Sequence, residues 1–185
     1  MFNHQTEQQR LAILKALSIL DQPTEERFER ITRLAQRMFQ MPITMLSLVD
    51  RDRLWLVAQE GLPSRELPRR GSFCTHAIQM ETPLIVDDAF LDDRFKQSAL
   101  VLGAPYIRFY AGVPLHGIDG TRIGALCIID HQPRHLEPDE LRMLNDLAAI
   151  AQDELNMFLM FEMQRALADE NASLYEQLYA NRERF

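Results

Sequence analysis

Cysteine is scarce in this chain: 185 residues hold only Cys74 and Cys127, so no disulfide framework organises it. Long apolar runs are absent too. No stretch approaches the roughly 20 apolar residues that span a bilayer, and Met1-Phe2-Asn3-His4 lacks the charged and apolar regions of a signal peptide. These absences lead us to expect a cytoplasmic protein with reduced thiols. Positive charge is in deficit, 20 Lys and Arg against 27 Asp and Glu, for a formal net charge of -7 and a pI near 5.2. An acidic chain without a basic stripe argues against nucleic acid or an anionic membrane as partner. Phosphate-cradling glycine loops, a nucleophile elbow and supported acid pairs are likewise missing, which removes several common routes to catalysis. What the chain does have is a core: 46% hydrophobic residues suffice for one ordinary domain plus an extension.

The stretch from Ile107 to Asp130 reads as two strands joined at Ile118-Asp119-Gly120-Thr121, where Asp-Gly suits a hairpin turn. Phe109, Ala111, Val113 and Leu115 share one face of the first strand; Tyr110, Gly112, Pro114 and His116 share the other. In the second strand Ile123, Ala125, Cys127 and Ile129 oppose Leu126 and Ile128, so both faces are apolar and both need cover. Residues 43–50 and 54–59 form a second hairpin, for at least four strands. Before it come two helices. One runs from Thr6 to Leu20 with Leu11, Leu14, Leu17 and Leu20 in step; the next is capped by Thr24, buries Phe28, Ile31, Leu34, Ala35 and Met38, and ends near Gln40. Residues 61–71 are a loop over the sheet, Ser72 to Ile78 a short helix docked by one side, and Leu84 to Val86 an edge strand.

A long helix begins at Pro138 with two apolar stripes. Leu141, Leu144, Ala148, Ala151, Leu155 and Phe158 face the domain itself. Ile150, Met157, Met160, Leu167, Leu174 and Leu178, with Gln164 and Asn171 in step, advance by sevens and continue to the end after the first stripe fades. A stripe that outlives its domain needs a partner. We therefore expect a homodimer through this helix, a parallel coiled coil whose Asn171 sets register.

The order helix, helix, hairpin, loop, short helix, hairpin, long helix resembles a GAF domain. The detail resembles one bacterial branch: Arg10-Leu11 through Leu17-Ser18-Ile19-Leu20-Asp21, Glu26-Arg27-Phe28-Glu29-Arg30-Ile31-Thr32, Ser47-Leu48-Val49-Asp50, Ser72-Phe73-Cys74 with His76-Ala77-Ile78, Asp93-Arg94-Phe95, and Ile107 through Leu115. Domains of that branch precede PAS, GGDEF diguanylate cyclase or histidine kinase modules. Ser98-Ala99 stands where relatives often carry Asn-Pro, a departure in one loop. The resemblance implies an α+β fold, with a central antiparallel sheet, N- and C-terminal helices on one face and a loop and short-helix lid over the other. It divides the chain into a GAF domain over 1–160 and a coiled-coil signalling helix over 161–185 that leads toward a downstream PAS-like domain.

Under the lid we expect a pocket lined by Trp55, Phe73, Cys74, His76, Ile78, Phe95 and Tyr110. Cys74 with His76 has the residue types of a metal or haem ligand pair, and a cysteine in this part of the fold anchors bilin in phytochrome-like GAF domains. The surroundings do not match those chromophore motifs, and a buried thiol beside a backbone-bonded histidine accounts for the same residues. Asp87, Asp88, Asp92 and Asp93 read as a solvated loop with helix caps, without calcium-loop spacing. No cofactor follows from any of this. Two functions remain. The leading one is a non-catalytic sensory or regulatory module that binds a small-molecule ligand or a neighbouring domain and relays the change through the C-terminal helix, with a link to cyclic di-GMP signalling. The alternative is a thiol enzyme resembling the free methionine sulfoxide reductases, for which Cys74 and Cys127 are read as standing in unlike settings.

Overall fold

The computed structural model describes residues 4–16 and 18–182, with side chains for 6–16 and 18–177. Leu17, the side chain of Leu178 and the end of the C-terminal tail, all named above, lie outside that description. The strands are β1 (Ile43–Val49), β2 (Arg53–Glu60), β3 (Glu66–Pro68), β4 (Leu84–Val86), β5 (Phe109–His116) and β6 (Arg122–Asp130). They form a six-stranded antiparallel sheet in the order β3-β2-β1-β6-β5-β4. Pairing both hairpins through β1 and β6 places β6 at the centre, which is why that strand is apolar on both sides. β3 falls inside the stretch expected to be only a loop. It is three residues long and pairs at the edge, too short to show a period.

One face of the sheet carries α1 (His4–Ala16), α2 (Glu26–Phe39) and α5 (Pro138–Arg182). Helix α2 buries Phe28, Ile31, Thr32, Ala35 and Phe39, an i, i+3, i+4, i+7, i+11 stripe. Leu34 and Met38, expected in the core, are instead 45% and 44% exposed, because the buried stripe is centred on Phe28 and Phe39. Thr32 enters the stripe because its hydroxyl bonds the Glu29 carbonyl at 3.0 Å while its own carbonyl accepts from Thr44 at 2.8 Å. The cap position is Glu25 with extended backbone and no side-chain cap, so Thr24 does not cap the helix.

Arg10 of α1 is fully buried. Its guanidinium forks onto Glu7 with two bonds of 2.8 Å and donates to the Val49 carbonyl at the end of β1. Glu7 also accepts from Arg69 at 2.6 Å, which ties the base of the lid to the leading helix. Arg10 first, and Arg69 after it, pull the Glu7 carboxyl down to about 2 against the opposing effect of burial.

The other face carries α3 (Phe73–Ala77), α4 (Ala99–Leu102) and their loops, packed on Met45, Leu54, Leu56, Cys127 and Ile129. Two bulges set the phase of the sheet. Between Leu46 and Ser47 the pairing with β2 skips Val57, so Val57 and Ala58 both join the helix-side core. Between Leu115 and His116 it skips Ile123, which joins the helix-side core rather than following Ala125, Cys127 and Ile129 to the lid. His116, expected at a hairpin end in water, is half-buried and its ring and amide both reach Gln152 of α5, at 3.1 and 2.9 Å.

Helix α5 runs 45 residues. Leu144, Leu147, Ala148, Ala151, Leu155, Phe158 and Leu159 are its buried face, and Phe158 meets Phe28 edge-on at 6.1 Å. Past Leu159 no described side chain of α5 is buried. The helix then continues through Arg182, about 33 Å at the usual rise.

Candidate functional site beneath the lid

The lid helix is placed by its first residue. Ser72 adopts extended backbone, accepts from the Thr75 amide at 3.3 Å and exchanges a bond with the Thr75 hydroxyl at 2.7 Å. That cap aims Phe73, Cys74 and Ala77 down onto the sheet and leaves His76 half-buried at the lid edge. Phe73 stacks between Phe95, at 4.0 Å between centroids and 15° between planes, and Tyr110, at 4.9 Å and 24°. Ile78 closes the end of the cluster, fully buried. His76 Nδ1 lies 3.2 Å from the Ser72 carbonyl and its ring meets Phe95 at 4.8 Å. It is therefore a backbone-bonded histidine.

Six of the seven candidate pocket residues thus come together. Trp55 does not. It lies in the core on the helix side of the sheet, between the guanidinium groups of Arg53 at 5.2 Å and Arg65 at 4.6 Å. The reason is parity: Leu54 and Leu56 of β2 point to the lid, so the residue between them cannot. The expected pocket is also occupied by protein, since Phe73, Cys74, Ile78, Phe95 and Tyr110 are all 2% exposed or less.

Beneath the aromatic stack lies a sulfur cluster. Cys74 of α3 and Cys127 of β6 have Sγ atoms 3.6 Å apart, and the Tyr110 hydroxyl lies 3.1 Å from Cys127 Sγ and 3.5 Å from Cys74 Sγ. Ser47 Oγ, a fourth group, approaches Cys74 Sγ at 3.3 Å. The two cysteines stand on unlike elements, as read from the sequence, a lid helix and a central strand, and the fold brings their sulfurs into one cluster. Cys127 faces the lid because β6 alternates, and α3 lowers Cys74 onto it. Gly112 makes the arrangement possible. It pairs with Cys127 across β5 and β6, and a Cβ there would fall 2.2 Å from the Tyr110 hydroxyl, which needs that space to reach the sulfurs. Hydrogen bonds from Cys127, Ser47 and Tyr110 favour a thiolate at Cys74 and lower its pKa, whereas burial first, and the adjacent sulfur next, hold the Cys127 thiol well above its ordinary range. Burial likewise pushes the Tyr110 phenol up. In the sequence alone, Gly112 falls on the Tyr110 face without a role and Ser47 has none. A short polar residue in an otherwise apolar strand and a Tyr-x-Gly triplet were the signals available.

The acidic loop is fully engaged. Arg108 forks onto Asp88 at 2.9 and 2.7 Å, Arg94 pairs with Asp92, Lys96 with Asp93, and His135 with Asp87.

The model for the GAF domain matches residues 23–155, well over half of the chain. The chain belongs to the GAF family. Along nearly all of its length this GAF domain is similar to a cyclic di-GMP phosphodiesterase of Pseudomonas aeruginosa, 38% identical over 173 residues, which are 93% of this chain but 29% of that protein. The chain thus spans less than a third of that relative. Among solved structures, the free methionine-R-sulfoxide reductase of Neisseria meningitidis superposes with a TM-score of 0.60 at 18% identity, covering 88% of this chain and 96% of that one. The PixJ GAF domain of Thermosynechococcus elongatus, in its blue-light-absorbing form, gives 0.58 at 17%, covering 92% and 98%. At such identities these two share the fold alone. No helix among the described residues is long and apolar enough to cross a membrane.

Proposed function

We propose that this GAF domain is the regulatory module of a bacterial signalling protein, placed ahead of an output domain that acts in cyclic di-GMP turnover, and that it works as a dimer through α5. One observation carries the reading. Ile150, Met157, Met160, Leu167 and Leu174 are 51% to 61% exposed on a helix whose buried face ends at Leu159. Their positions repeat by sevens, the spacing of a left-handed coiled coil. A second copy of the same helix is the occupant that this spacing fits. The relative from P. aeruginosa supports the link to cyclic di-GMP, and its greater length supports a separate output domain.

In this reading the lid is the input. A small ligand or a neighbouring domain displaces the Phe73 and Phe95 rings, and it signals only by preferring one of two arrangements of the α5 pair. The thiol-enzyme alternative would need methionine sulfoxide next to a sulfur. Both sulfurs are 0% exposed and the aromatic cluster fills their surroundings, so the regulatory reading is adopted.

Leu167→Glu and Leu174→Glu test the dimer. Both positions are exposed in the single chain, so the variants retain its thermal stability as monomers. Sedimentation should show a dimer for the parent chain and a monomer for the double variant. A parent chain that stays monomeric at every concentration, or a double variant that still dimerises, would overturn the reading.

A further inference from the structure

We propose that Cys74 and Cys127 are an oxidation site, joined into a reversible disulfide within one chain by a hydroperoxide. Three features carry this. The sulfurs are in contact at 3.6 Å, and a bond of about 2.05 Å requires them to close by about 1.6 Å. The backbone of Cys127 cannot supply that movement, because β6 is hydrogen-bonded to β1 on one side and β5 on the other. Cys74 can, because α3 is only five residues long and is joined to the sheet through loops on both sides. It is held by the Ser72 cap, the Phe73 stack, a bond from the Thr75 hydroxyl to the Arg69 carbonyl at 3.2 Å and one from Arg122 Nε to the Ile78 carbonyl at 2.8 Å.

The donors around Cys74 give the pair a direction. Ser47 Oγ at 3.3 Å, Tyr110 Oη at 3.5 Å and Cys127 Sγ at 3.6 Å surround its Sγ, while Ser47 also reaches the Ala125 carbonyl at 3.3 Å and Tyr110 also reaches Cys127 Sγ at 3.1 Å, so Cys74, with three polar groups about it, is the sulfur placed to react as a thiolate. In the first step Cys74 sulfur attacks one oxygen of the peroxide. The O–O bond breaks, the departing oxygen takes the thiol proton, and Cys74 becomes a sulfenic acid. In the second step Cys127 sulfur attacks Cys74 Sγ, the S–O bond breaks, and the hydroxyl leaves as water with the Cys127 proton. With hydrogen peroxide, two thiols and one peroxide yield one disulfide and two waters, a two-electron exchange. A dithiol reductant reverses it by returning two electrons and two protons.

Entry needs the lid to lift, since both thiols are 0% exposed, and a water-sized peroxide asks for the smallest opening of a short, locally held helix. The product pins the lid to the central strand. Two residues 53 apart in sequence become linked, which restrains the unfolded chain and raises the melting temperature. The site is independent of the helix pairing proposed above: a monomeric chain would cross-link equally well, so failure of one proposal leaves the other standing.

The test uses the whole chain exposed to hydrogen peroxide, then denatured, alkylated and weighed. The expected result is loss of two hydrogens, protection of both cysteines from alkylation, a peptide linking Cys74 to Cys127, and recovery of both thiols with dithiothreitol. Sulfoxide formation at Met38, which is 44% exposed on α2 and lies outside the α5 stripe, serves as the internal clock. Cys127→Ser should stop at a Cys74 sulfenic acid that dimedone traps, and Cys74→Ser should leave Cys127 free. Two results would overturn the proposal: both cysteines of the parent chain remaining alkylatable after Met38 is fully oxidised, or a disulfide found only between chains.

Discussion

Replacing Phe73 with alanine should cost the domain about 4 kcal/mol, and the structure says why. The ring is 2% exposed and stacked on both sides, against Phe95 at 4.0 Å and Tyr110 at 4.9 Å. Withdrawing a phenylalanine side chain from a core forfeits about 1.5–3 kcal/mol of transfer free energy, and each aromatic pair adds about 0.5–1.5 kcal/mol. The vacated space costs more if the lid does not collapse, which puts the total in the range of about 3–5 kcal/mol seen for such truncations. That is a large share of the stability of an ordinary domain. Equilibrium unfolding in urea measures it, and Trp55 is a suitable probe because it lies on the opposite face of the sheet and reports global unfolding rather than the local change. Phe73→Leu, which keeps most of the volume but neither stack, should lose about 1–2 kcal/mol. The alanine variant should also bind a small apolar probe such as benzene beneath the lid. A loss below about 1 kcal/mol for alanine, with unchanged denaturant slope, would refute the packed lid on which the site description rests.

Gly112→Ala places a Cβ 2.2 Å from the Tyr110 hydroxyl, so the ring must shift, with a loss of about 1–3 kcal/mol in urea unfolding that shrinks in a Tyr110→Ala background. Glu7 has its carboxyl depressed to about 2 in the fold. Its contribution is therefore fully present above the ordinary value of 4.5 and is lost as the pH falls through the interval down to about 2. Glu7→Gln should destabilise by about 1–2 kcal/mol near neutral pH, solvent screening taking part of the full linkage, and the gap to the parent chain should narrow toward pH 2; a gap that holds constant would remove the Arg10 and Arg69 pairs as its cause. Arg10→Met, which leaves the Val49 carbonyl and one side of Glu7 without a donor, should cost at least about 3 kcal/mol by thermal or urea unfolding.

The α+β order of elements, the central hairpin and the two stripes of α5 were legible in the order of residues. These are local patterns: a period of two from Phe109 to Leu115, an Asp-Gly turn whose Gly120 takes φ +81, and a heptad that outlasts the core. The sequence also brought together Phe73, Cys74, His76, Ile78, Phe95 and Tyr110, because the family motif spans the lid and its strand. Tertiary structure alone decided the rest. A bulge adds one residue to a strand and reverses every face beyond it, so Ile123 could not be assigned from alternation. Trp55 needed only the parity of its neighbours, yet parity could be tied to the lid only once the sheet order was known. The rotation of α2 that exposes Leu34 and Met38 depends on which ridge meets the sheet, a matter of packing rather than composition. The meeting of Cys74 with Cys127 is the clearest case. Fifty-three residues separate them, and only the docking of a five-residue lid on the central strand closes that distance to 3.6 Å.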